Sequence, residues 1–180
     1  MHDAFTDDPL DIREAAAEVP SVVAAIAARI DGVPVVMVAT SFTVGVSHDP
    51  PLVSVAVQHS STTWPDLAAA TVLGLSVLAD VHAPHTRQLA SRDRDRRLDG
   101  IDHVATDSGA VFLTGSHTWL ECTVEDTHRA GDHDIVVLRV RRLARDPERA
   151  ALVWHRPARP ARPAREARSG TTRTVVAAPA

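Results

Sequence analysis

Apolar positions along this chain come in short runs broken by turn residues, not in long helical stripes. Near the start, Leu10 to Val19 carries the good helix formers Arg13, Glu14 and Ala15 to Ala17, which predicts a short helix. From Pro20 to Ile30 the chain is β-branched and alanine-rich. Asp31-Gly32 follows, and then a second apolar run, Val33 to Val38. An Asp-Gly pair between two such runs predicts a hairpin. Pro51 to Gln58 predicts a third strand, and its nearly continuous apolar positions predict cover on both faces. Thr62 or Thr63 is placed to cap a helix with Pro65 in its first turn and Leu67 to Ala70 following.

Further along, Val72 to Leu78 reads as a strand. Val81 to Arg97 starts as a helical pattern and dissolves into the charge run Arg92-Asp93-Arg94-Asp95-Arg96-Arg97. Val111 to Leu113, Trp119 to Glu125, Ile135 to Leu143 and Leu152 to His155 read as extended. Arg129-Ala130-Gly131-Asp132 supplies turn chemistry between the two longer ones. Many strands and few short helices, joined mostly by turns, predict a mainly β fold, an antiparallel barrel or sandwich and not a doubly wound parallel sheet. After Arg156 the Pro-Ala-Arg triplet recurs. A folded domain is therefore expected over residues 1–155, and a disordered Arg/Pro/Ala-rich tail over 156–180.

Charge sharpens this picture. The tail carries +5, which leaves −9 on the rest of a chain whose net charge is −4. An acidic body argues against nucleic acid as a partner. No apolar run approaches the ~18 residues of a membrane span, so no membrane partner is expected. The start of the chain is acidic where a secretory leader is basic, so the cytoplasm is the expected compartment. Cys122 is the single cysteine, which leaves no internal disulfide and no cysteine-based zinc site. All 19 basic residues are arginine, and tyrosine is absent. A catalytic lysine, a Schiff base, a P-loop lysine and a tyrosine acid are thereby excluded.

Candidate chemistry is sparse. Neither Gly-x-Ser-x-Gly nor Gly-x-Gly-x-x-Gly occurs, so a hydrolase elbow and a dinucleotide fingerprint are both missing. His82 with His85, and His128 with His133, lack a third ligand beside them. They read as turn or surface histidines, and no metal is expected. Two features stand out. One is a pair of hydroxyl-rich loops, Thr40-Ser41-Phe42-Thr43 and Ser60-Ser61-Thr62-Thr63, on either side of the Pro51–Gln58 run. Hydroxyls and free N–H groups at a helix start suit a phosphate. The other is Gly131-Asp132-His133-Asp134, a turn that can aim a histidine into a cleft. Alone, these residues give a phosphate-binding β-barrel and no reaction.

In order along the chain stand Asp31-Gly32-x-Pro34, Thr40-Ser41-Phe42-Thr43, Ser47-x-Asp49-Pro50-Pro51-Leu52-Val53 and Ser60-Ser61-Thr62. Leu89-Ala90, Arg97-Leu98-x-Gly100, Trp119-Leu120-Glu121-Cys122 and Gly131-Asp132-His133 follow. This series resembles the flavin reductases with an FMN-binding split barrel, the reductase components of two-component flavin monooxygenases. The resemblance covers residues 11 to about 155. It implies a Greek-key split barrel that forms a homodimer. It also implies hydride transfer from NADH or NADPH to FMN or FAD, with reduced flavin passed to a partner monooxygenase. Carried over, it would set Thr40, Ser41 and Phe42 along the isoalloxazine. Gln58, Ser60, Ser61 and Thr62 would hold the ribityl chain and phosphate, with Arg97 assisting, and His133 would face the nicotinamide. Two features depart from the family pattern: Leu98 replaces a usual phenylalanine, and the proline-arginine tail stands where a Gly-x-Tyr/Phe-x-x-Leu segment closes the family's chains. A non-catalytic flavin store and an FMN-dependent oxidase of the pyridoxamine-phosphate oxidase kind are the alternatives. The absence of lysine weighs against the oxidase, whose anionic substrates call for several basic groups.

Overall fold

A computed structural model of the chain describes residues 5–154. His155 and the expected tail at 156–180 lie outside the described residues. Helix α1 (Pro9–Ala16) starts at Asp8, whose carboxylate accepts the Leu10 N–H at 2.7 Å, and stops short of Val19. Eleven strands follow in chain order: β1 (Ser21–Val22), β2 (Ala24–Ile30), β3 (Val33–Ala39), β4 (Thr43–His48), β5 (Pro51–Gln58), β6 (Leu73–Val77), β7 (His103–Ala105), β8 (Val111–Leu113), β9 (Thr118–Ala130), β10 (His133–Arg145) and β11 (Val153–Trp154). Helix α2 (Trp64–Ala68) lies between β5 and β6, and α3 (Thr86–Leu89) between β6 and β7.

Seven strands form one sheet in the order β3-β2-β6-β9-β10-β5-β4, with every neighbouring pair antiparallel. The fold is mainly β, as the pattern of short apolar runs predicts. Asp31 (φ 51°) and Gly32 (φ 83°) make the β2–β3 turn with two positive φ angles, which is the demand that an Asp-Gly pair meets.

Cover on both faces belongs to β2 and β6 and not, as expected, to β5. Ala24 to Ala28 are all buried. Ala24, Ile26 and Ala28 face one core cluster with Leu75, Leu120 and Val136. Ala25 and Ala27 face a second with Leu78, Leu113 and Val111. In β5 only Val53, Val55 and Val57 are buried; Ser54 and Ala56, between them, are half-buried. That less-covered face is what leaves room for a cavity. The close approach of β8 to β6 depends on Gly74, since a Cβ there would meet the Val111 carbonyl oxygen at 2.1 Å.

The stretch 81–97 starts helically and then loses the pattern, as its sequence suggests. A 3₁₀ turn (Asp80–His85) containing Pro84 leads into the four residues of α3, and the chain then loops. Gln88 holds that loop, donating through Nε2 to the carbonyls of Asp99 at 2.7 Å, Arg96 at 3.1 Å and Arg97 at 3.3 Å. Proline and the loss of apolar periodicity end the helix. Among the described residues no helix is long and apolar enough to cross a membrane.

Candidate functional site

A cavity of about 430 Å³ opens between β3, the ends of β5 and β10, and the loop after α3. Met37 to Ser41 line one side, and Ala56, Val57, Gln58 and Ser60 to Thr63 the other; Leu89, Ala90, Arg97 and His133 complete it. It brings together eight of the nine residues singled out from sequence: Thr40, Ser41, Gln58, Ser60, Ser61, Thr62, Arg97 and His133. Phe42 is the ninth, and its place needs correcting. It is 8% exposed and packs in the core cluster with Val53 and Val55, so its ring is not part of the wall. An aromatic side chain following two hydroxyl residues is drawn inward by the area it buries.

Local chemistry distributes the hydroxyls unequally. The Ser41 hydroxyl accepts the Ala56 N–H at 3.0 Å and donates to the Ala56 carbonyl at 2.9 Å, tying the β3–β4 loop to β5. Its hydrogen is therefore spent within the protein. Thr63 precedes α2 but makes no capping bond there. Ser61 takes that role instead, its Oγ accepting the Trp64 N–H at 3.2 Å. A hydroxyl that accepts in this way still has its own hydrogen to donate. Ser60 is 3.4 Å from Gln58 Oε1, and Thr62 keeps its side chain exposed beside the cavity.

Arg97 dominates the electrostatics. Its side chain is buried, and every partner is neutral: Nε donates to the Ser91 carbonyl at 2.7 Å, and Nη1 donates to the Val36 carbonyl at 2.7 Å and to Thr63 Oγ1 at 2.9 Å. Burial first, and the positive charge of Arg94 second, hold this guanidinium below its ordinary pKa. It nonetheless stays protonated, as arginine does in proteins. The cavity lining contains no carboxylate. A buried cation without a counter-charge is costly, and an anion bound against Arg97 and the hydroxyls of 60–62 would offset that cost. Arg94, which sequence reasoning left in the charge run, supports this loop. It donates to the Thr62 carbonyl at 2.8 Å and pairs with Asp66. No local signal separates Arg94 from its neighbours, because its partners Thr62 and Asp66 are remote in sequence.

Across the cavity, His133 opens β10. Its Nδ1 lies 2.7 Å from Asp132 Oδ1. The carboxylate can only accept, so Nδ1 carries the hydrogen and Nε2 is left with its lone pair in the neutral ring. This bond is the main reason that Asp132 sits below the ordinary carboxylate range. His59 binds the same turn, through Nε2 to Asp134 Oδ1 at 2.8 Å and through its N–H to the Asp132 carbonyl at 3.0 Å. The loop at 60–62 and His133 are thereby fastened to one β9–β10 turn. His82 is a structural histidine. Its Nδ1 accepts the Ala79 N–H at 3.2 Å and its Nε2 donates to the Thr114 carbonyl at 3.1 Å. Among the described residues no three metal-binding side chains come together.

Comparison with known proteins identifies the family. The flavin reductase like domain family matches residues 16–161. A flavin reductase from Pseudomonas putida is 34% identical over 150 residues, which span 83% of this chain and 87% of that protein. The flavin-dependent monooxygenase reductase subunit HsaB of Rhodococcus jostii strain RHA1 is 32% identical over 126 residues, 70% of this chain and 64% of HsaB. Among solved structures, the NADH:FAD oxidoreductase SgcE6 of Streptomyces globisporus C-1027, in complex with NAD and FAD fragments, superposes with a TM-score of 0.75 at 29% identity. That match covers 87% of this chain and 95% of SgcE6. The family match spans every strand described and all the residues of the cavity, so the chain belongs to the flavin reductase like domain family.

Proposed function

We propose that this cavity holds the flavin of an NAD(P)H-dependent flavin reductase, with the phosphate at Ser60, Ser61, Thr62 and Arg97 and the donor at His133. The observation that carries the reading is the buried Arg97 guanidinium, bonded only to neutral groups in a wall that contains no carboxylate. It calls for an anion, and the Ser61 and Thr62 hydroxyls have hydrogens to give. The apolar part of the wall, Met37, Val38, Ala39, Ala56 and Val57, suits a flat ring system.

Bound FMN or FAD supplies the hydride-accepting chemistry. The protein's part is to position and to exclude water. Thr40 and the Ser41 backbone border the ring, with the loop kept rigid by the Ser41–Ala56 pair. Gln58 keeps its side-chain amide for the ribityl hydroxyls. His133, its tautomer set by Asp132, presents Nε2 as an acceptor suited to the carboxamide N–H of a nicotinamide. The pyridine-nucleotide donor is NADH or NADPH.

A reductase subunit of a flavin-dependent monooxygenase among the relatives supports a monooxygenase as the acceptor of reduced flavin. We propose in addition that the protein acts as a homodimer in the cytoplasm. On the change of composition at Arg156, we also propose that the folded unit ends near residue 155. Those relatives are reductases, which favours turnover over mere flavin storage. Steady-state oxidation of NADH and of NADPH, each with and without added flavin, tests this reading. A flavin-dependent rate is expected with at least one donor. Tight flavin binding without any turnover would establish the storage alternative instead.

A further inference from the structure

Among the described residues nothing covers helix α1. All eight of its residues are exposed, with Leu10 and Ile12 at 69% and 52%. A helix this short draws its stability from a packed face, which α1 lacks. Its charges oppose it as well. Asp11 and Glu14 lie in the helix, and Glu18 in the turn that follows, where the Glu18 N–H donates to the Ala15 carbonyl at 3.1 Å. Spacings of three and four put these carboxylates on one side with like charges a turn apart, which disfavours a helix. Arg13 is the one cation between residues 5 and 20.

The chain's own tail has the complementary chemistry. Residues 156–180 carry +5, and Arg156, Arg159, Arg162 and Arg165 recur at every third position. Strands β1 and β11 set where that segment leaves the body. They pair antiparallel, with Val22 opposite Val153 and Ser21 opposite Trp154. The chain past Trp154 is therefore aimed back along the segment that precedes Ser21, which is the α1 arm. We propose that α1 is the docking face for residues 156–168 of the same chain. The guanidinium groups pair with Asp11, Glu14 and Glu18. The aliphatic stems of the same arginines cover Leu10, which lies one turn before Glu14 on that side. Reach is ample: in an extended polyproline conformation Arg156 to Arg165 span about 28 Å, against about 12 Å for α1. That conformation has three residues per turn, so arginines with a period of three share one edge.

Hydrogen exchange of the full chain, read by peptide mass spectrometry over residues 9–19, tests the proposal. In wild type these amides should be protected at about 0.02 M salt and exchange about tenfold faster at about 1 M, where exposed pairs are screened. Arg159→Glu/Arg162→Glu/Arg165→Glu should exchange fast at both salt concentrations. Glu14→Arg/Glu18→Arg alone should do the same. Combining the two sets reverses both partners and should restore the protection at low salt. Unchanged exchange in β9 and β10 certifies that each variant is folded. Equal exchange of residues 9–19 in wild type and the arginine variant would overturn the proposal, as would protection in Glu14→Arg/Glu18→Arg alone. Fast exchange in wild type at low salt would leave α1 to another macromolecule and overturn it too. Protection that fades on dilution would give the docked segment to a second copy and overturn the assignment to the same chain.

Discussion

Thr62 and Ser61 are neighbours in sequence with different duties, and substitution should separate them. Thr62 has no bond to the rest of the protein through its hydroxyl among the described residues, whereas Ser61 accepts the Trp64 N–H. Thr62→Ala should therefore weaken flavin binding by about 1.5–3 kcal/mol, tenfold or more, with the melting temperature unchanged. Ser61→Ala should lose comparable affinity and also destabilise by about 0.5–2 kcal/mol through the lost cap. Titration and melting on the same samples check both, and equal behaviour of the two variants would contradict the division of roles. His133→Ala belongs to the other side of the cavity. Flavin affinity should hold while the hydride-transfer rate or the apparent donor affinity falls, as read by anaerobic rapid mixing. If His133 only shapes the β9–β10 turn, the variant would melt earlier and turn over normally per folded molecule.

At the scale of elements, the second core is tied to pH through the 3₁₀ turn that carries His82. Burial, the largest influence, pulls the His82 pKa below its ordinary 6.5, against the two backbone bonds that raise it. In the folded state His82 therefore binds fewer protons than in the unfolded chain. Its contribution to stability is complete above 6.5 and is lost progressively as pH falls from 6.5 towards the lowered folded value. Melting of the wild type should fall more steeply across that window than melting of His82→Gln. Identical slopes would show that another group controls it.

The elements also explain what could be read from sequence. Asp31-Gly32 announced its hairpin because the turn needs two positive φ angles. Arg129–Asp132 announced the β9–β10 turn for a similar local reason. β4 was missed because it is short and its residues are almost all exposed, Val44 and Val46 included. The long hairpin of β9 and β10 outruns its apolar segments, since its distal half is held by backbone pairing and by pairs such as Arg139–Glu125. Most residues that line the cavity were legible where the family's motifs recur. The reason Arg97 matters was not, because Val36, Thr63 and Ser91 meet it only in the folded chain.

For the whole molecule, the composition change at Arg156 and the position of the cavity lead to one expectation about extent. Among the described residues, those that line the cavity lie between Met37 and His133. A chain cut after His155 should bind FMN like the full protein and melt within a few degrees of it. A truncated protein that aggregates or loses FMN would mean that residues beyond 155 complete the barrel, with Val175-Val176 the apolar pair available for it. The central claim concerns where the flavin is reduced. Anaerobic mixing of wild type and Thr62→Ala with NADH or NADPH over a range of flavin concentrations, following nicotinamide absorbance, addresses it directly. The account predicts a flavin-dependent rate whose half-saturating flavin concentration rises about tenfold in Thr62→Ala while the maximal rate is kept. No flavin-dependent rate with either donor, or an unchanged half-saturating concentration in the variant, would contradict it.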